Sequence, residues 1–257
     1  MAFAIAINNL IEAMGKPGCA ICRVSRQASE RALESFLWEN VNEPDVRQGI
    51  LDSYGFCPTH TRVMVAREVL TSSIPLGTNI IYEHLGRVVA RELSGLKPGS
   101  LSVRVGGVGT RLKRLIGRLT SAKPAGVGPL RPRGSCPACV AGEHAALNSL
   151  HALCEEIQKD GDVLAAYRRS DGVCFLHLRT AIDVHSVYFP RSVSVLIDDA
   201  VARLESQSGE MKEFIRKNNW TYRDEKLTEE EDTAWRKTLA FFTGYPGGAF
   251  THKTDDF

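Results

Sequence analysis

The chain has 257 residues, of which 43% are hydrophobic and 24% charged, an ordinary balance for a globular protein able to bury a sizeable core. The formal net charge is only +2, so the chain as a whole is neither a polyanion nor a polycation. No run of about 18 apolar residues occurs, which argues against a transmembrane span. MAFAIAINNLIEAM lacks the basic start and small-residue cleavage site of an export signal.

That opening segment is expected to form an amphipathic helix. Cys19 and Cys22 follow as C-x2-C, and behind them Ala28, Ala32, Leu33, Phe36 and Leu37 recur three and four apart, the stripe of a second helix. Asp45 is placed as the N-cap of a short helix. Gly55 breaks the chain with a positive φ before Cys57 and His60, which form C-x2-H. Pro58 suits the first turn of a helix over about 61–70. A longer helix follows over about 75–93, with Ile80, Ile81, His84, Leu85, Val88 and Val89 inward.

Residues 97–135 have linker composition, rich in glycine and proline. They carry nine basic side chains and no acidic one. Val103 to Val105 is the best strand candidate in the chain, and it is short. Within residues 104–118 and just beyond, Leu112, Leu115, Ile116 and Leu119 share one helical face opposite the basic residues.

The first pattern then returns 117 residues later. Cys136 and Cys139 form C-x2-C, and Cys174 and His177 form C-x2-H, with 34 residues between the pairs in both copies. The same shift superposes Leu33 on Leu150, Asp45 on Asp162, Ser53 on Ser170, Gly55 on Gly172 and Arg62 on Arg179. One unit has been built twice. A long helix over about 191–217, with Val195, Leu196, Ala200, Val201 and Leu204 inward, and a last helix over about 229–243 complete the chain. Thr228 and Glu231 read as a capping box for the last helix, and Gly244 as its stop.

The reading is all-α. It has two pseudo-symmetric helical units over 1–96 and 136–257, joined by a basic connector over 97–135, with a C-terminal helix. Three thiolates and an imidazole fill a tetrahedral shell, so each repeat is expected to hold one zinc: Cys19, Cys22, Cys57 and His60 in the first, Cys136, Cys139, Cys174 and His177 in the second. An iron–sulfur cluster is the rival occupant. Arg62 and Arg179 are candidates to offset the thiolate charge by hydrogen bonding to sulfur, or else solvated surface residues. Cys154, the seventh cysteine, falls on an apolar stripe and reads as a buried thiol. Thiolate sites with no export signal point to the reducing cytoplasm.

With Cys136-Pro137-Ala138-Cys139, Gly55-Phe56-Cys57-Pro58-Thr59-His60, Gly172-Val173-Cys174-Phe175-Leu176-His177 and Phe214 to Glu225 in view, the chain resembles a family of uncharacterised bacterial and archaeal helical proteins with CPxC and GxCxxH motifs. Cys19-Ala20-Ile21-Cys22 departs from it by lacking the proline. The resemblance implies metal binding and helices, and no activity. No nucleophile–base pair, paired carboxylate or phosphate loop stands out, so the sequence points to a zinc-binding scaffold or binding module rather than an enzyme. The alternatives are a regulator that grips a polyanion, nucleic acid or an anionic membrane, through residues 104–118, and a redox or metal sensor.

Overall fold

The computed structural model describes residues 2–40, 43–95, 130–222 and 224–244, with side chains from residue 7 onward. The proposed polyanion segment 104–118 and the Val103–Val105 strand lie outside them. Every regular element described is helical. The helices are α1 (Ala2–Met14), α2 (Ala20–Trp38), α3 (Pro44–Asp52), α4 (Pro58–Ser72), α5 (Leu76–Gly95), α6 (Pro137–Ile157), α7 (Asp162–Arg169), α8 (Phe175–His185), α9 (Pro190–Lys217) and α10 (Glu229–Thr243). A 3-10 turn (Trp220–Tyr222) sits between the last two.

The described residues fall into two compact units, one drawn from residues 1–31 and 140–257, the other from residues 32–139. Their boundaries fall inside α2 and α6, not at the connector. The first unit is built on Leu10, Ile21, Leu150, Leu153, Cys154, Ile157, Tyr167 and Leu196, all but excluded from solvent. Burying one such aliphatic side chain contributes about 1.5–3 kcal/mol. Cys154 is the buried thiol expected from its position, and burial pushes it up to about 12. Tyr167 keeps its hydroxyl satisfied by donating to Asp199 Oδ2 at 3.0 Å. The α9 stripe is Val193, Leu196 and Ala200; Val201, expected inward, is 49% exposed.

The second unit packs Leu33, Phe36, Leu37, Ile50, Met64 and Ile81 together, with the Phe36 and Phe56 rings edge to face at 5.3 Å. Glu68 of α4 is buried against the start of α5. Its carboxylate accepts the N–H of Gly77, the N–H of Thr78 at 3.1 Å and the Thr78 hydroxyl at 2.6 Å. A carboxylate here satisfies amides that the helix cannot pair itself and meets the positive end of its dipole.

Local signals were mostly read correctly. The capping box is present: Glu231 N–H donates to Thr228 Oγ1 at 3.2 Å, Thr228 N–H donates to Glu231 Oε2 at 2.9 Å, and Gly244 ends α10 at φ 67°. Pro58 starts α4 and Pro190 starts α9. Asp45 and Asp162 are not N-caps. Glu43 and Gly161 hold those positions without a side-chain cap bond, and both aspartates lie in the first helical turn. Pro44, with φ preset for a helix, starts α3 one residue early.

Candidate metal centre

All eight predicted ligands come together in two clusters, but the pairing differs from the within-repeat quartets. Cys19 and Cys22 meet Cys174 and His177; Cys57 and His60 meet Cys136 and Cys139. Each C-x2-C closes with the C-x2-H of the other repeat. Helix geometry accounts for the exchange. From Cys22 to the end of α2 at Trp38 the chain advances about 24 Å at 1.5 Å per residue, whereas the nine residues of α3 span only about 13 Å. The same holds for α6, with twenty-one residues, and α7, with eight. Each cluster then lies wholly within one compact unit.

Every half-site opens a helix. Cys57 and Cys174 are the N-caps of α4 and α8, and α2 and α6 begin one residue after Cys19 and Cys136. Each cluster thus faces two helix N-termini, whose partial positive charge favours thiolate. The backbone N–H groups of Leu176 and His177 reach the Cys174 sulfur, and those of Thr59 and His60 reach Cys57. Just before each C-x2-H, Gly172 (φ 78°) and Gly55 (φ 98°) turn the chain as expected. A Cβ on Gly172 would come within 3.1 Å of Asp199 Oδ2.

The dimensions suit a single ion. In the first cluster His177 Nδ1 lies 3.2 Å from Cys174 Sγ, 3.4 Å from Cys22 Sγ and 3.6 Å from Cys19 Sγ, and Cys22 Sγ lies 3.6 Å from Cys174 Sγ. In the second, His60 Nδ1 lies 3.3 Å from Cys57 Sγ, 3.3 Å from Cys139 Sγ and 3.5 Å from Cys136 Sγ, and Cys57 Sγ lies 3.7 Å from Cys139 Sγ. A tetrahedral ion with metal–sulfur bonds of about 2.3 Å would set sulfur–sulfur edges at about 3.8 Å, which the 3.6 and 3.7 Å pairs approach, and sulfur–nitrogen edges a little longer than most of those here. A multi-iron cluster spreads its ligands over several irons and would hold them further apart.

Burial separates the two. Cys19, Cys174 and His177 are 5%, 2% and 8% exposed. In the second cluster only Cys136 is buried, and Cys139 is exposed. Hydrogen bonds from Cys19 and Cys22 lower Cys174 to about 3, while hydrogen bonding to Cys174 drives Cys22 far up. In the second cluster burial works against Cys57, yet hydrogen bonds from the His60 N–H and from Cys139 and Cys136 leave it lowered. Cys139 rises to about 12 through burial and its bond to Cys57. Without a cation, crowded sulfurs share protons; a bound dication would displace them.

Arg62 and Arg179 are exposed, and no hydrogen bond to a cluster sulfur is seen from either. What the sequence did not show is Gly244. Its left-handed cap rests on the first cluster, where a Cβ would stand 3.0 Å from Cys22 Sγ and 3.4 Å from Cys174 Sγ. The sequence marked this glycine only as a helix stop. Nor did it show that the Gly18 N–H donates to Asp171 Oδ2 at 2.6 Å, which ties the two half-site loops of that cluster.

Fold and site define a class: an all-helical protein with two Cys3His clusters, each able to hold a metal ion. More particularly, the chain belongs to the family of unknown function DUF6062, whose family model matches residues 2–246. No curated protein and no solved structure matches it. No helix among the described residues is long and apolar enough to cross a membrane.

Proposed function

We propose that this protein is a cytoplasmic helical binding module held together by two structural zinc ions. The supporting observation is the pair of compact quartets, each with three sulfurs and one Nδ1 all within 4.8 Å of one another, close enough to share a single ion. Four protein ligands leave no open position for water or substrate, which favours a structural over a catalytic ion. Zinc suits the mixed thiolate and imidazole set, and a reducing compartment keeps the thiols free to bind it. Each ion joins helices from both repeats, so metal binding and folding are coupled.

The test is elemental analysis of protein purified without oxygen, together with its visible spectrum. The reading expects two zinc ions per chain and no colour. Iron with thiolate charge-transfer absorption, or metal-free protein with disulfides among these cysteines, would overturn it.

A further inference from the structure

A cavity of about 630 Å³ adjoins the first cluster. Its walls are α9 and α10, and its floor is the pair of loops that carry Cys19 and Cys174. The volume lies within the range of small-molecule sites, about 300–1,000 Å³. Val173, Leu204, Ala234, Ala240 and Phe241 give it a mainly apolar lining.

Two arginines on that lining have donors to spare. Arg236 Nε is buried, and no acceptor among the described residues reaches it. Its guanidinium lies over the Trp235 ring, 5.3 Å away. Arg203 commits its Nε to Asp199 Oδ2 at 2.8 Å, and no hydrogen bond from either Nη group is seen among the described residues. A guanidinium with no carboxylate partner at the edge of an apolar cavity favours an anion there, held by whichever of its N–H groups the cavity reaches. No ion pair among the described residues joins an acidic lining residue to Arg236, although Asp171 lies near enough to act on Arg203. Asp171 is bonded to the Gly18 N–H, Glu230 is exposed to water, and Glu210 forms no ion pair with either arginine.

We infer that this cavity binds a small organic anion, a carboxylate carried on an apolar body, with Arg236 and Arg203 holding the carboxylate. This supplies the ligand class of the binding module and rests on that reading, but not on the identity of the metal. The apolar body would lie along Leu204, Ala234 and Phe241. The site shares Cys19 and Cys174 with the cluster, so an ordered cluster shapes its floor.

Calorimetric titration of the metal-loaded full chain with decanoate, and separately with 1-decanol, tests this. Decanoate is expected to bind, and decanol at least tenfold more weakly. Arg236→Gln weakens decanoate at least tenfold and leaves decanol unchanged. Ala202→Phe, which adds bulk from an exposed position on the cavity wall, weakens both. Native mass spectrometry scores metal content in each variant, so failure of the cavity is distinguished from failure of the zinc reading. Absence of decanoate binding to the parent overturns the inference. So does equal affinity for decanoate and decanol, or parental decanoate affinity in both variants.

Discussion

The two clusters use the same four ligands, three cysteines and one histidine, yet one is mostly buried and the other open. Cys19, Cys174 and His177 are within the core of their unit, and the backbone of Gly244 covers two of the sulfurs. The second cluster presents Cys139 to solvent and leaves Cys57 and His60 half-buried. Identical inner chemistry therefore sits in different surroundings, and the surroundings govern access by water, chelators and electrophiles. An ion in the first cluster would lie within the core of its unit; one in the second would be within reach of solvent.

The largest expected effect is on stability. Cys174→Ser should remove one metal and cost several kcal/mol, lowering the melting temperature by roughly 10 °C or more for a chain of this size. Cys139→Ser should also remove one metal, with a smaller drop, because its surroundings are already solvated. Equal drops in scanning calorimetry would erase the distinction. Next in size is exchange. A chelator or a thiol alkylating reagent should strip the first of the two ions from the second cluster, with Cys139 the earliest cysteine modified by mass mapping. Early modification of Cys19 or Cys174 would reverse the comparison.

Gly244→Ala should cost about 1–3 kcal/mol, through left-handed strain and the approach of its Cβ to Cys22. It should speed metal loss from the first cluster only, read by site-resolved alkylation. The smallest effect concerns His185, which is 5% exposed, has an unpartnered Nε2 and packs against His151 at 5.4 Å. Burial, then the nearby His151, lowers its pKa below 6.5. The unfolded chain takes up this proton first, so the stability linked to His185 is full above about pH 6.5 and is lost as pH falls through the folded value. His185→Leu should flatten the fall in urea midpoint between pH 7.5 and 5.5; an unchanged slope would remove His185 from the account.

The ligands were legible because metal chemistry constrains residue type and spacing, and a duplicated pattern is hard to mistake. Their pairing was not. Two repeats with the same half-sites offer two pairings, and residue type and spacing are the same for both, so the choice rests on how the helices between them fold. Gly55 and Gly172 were readable as turns because positive φ selects glycine, and Thr228 and Glu231 as a capping box because the bonds are local. Asp45 and Asp162 misled because an aspartate in the first turn and an aspartate at the cap look alike in sequence. Glu68 capping α5, Arg236 lining a cavity and Gly244 covering sulfur all depend on tertiary packing, which no local pattern records.

Exchange of half-sites between the repeats is the central claim, and paired substitutions read by native mass spectrometry test it most directly. Cys22→Ser with Cys174→Ser strikes one cluster twice, and Cys22→Ser with Cys57→Ser strikes both clusters once. The exchanged pairing predicts one metal retained in the first double variant and none in the second. One metal retained in the Cys22 and Cys57 variant, with none in the Cys22 and Cys174 variant, would contradict it and restore the pairing within each repeat.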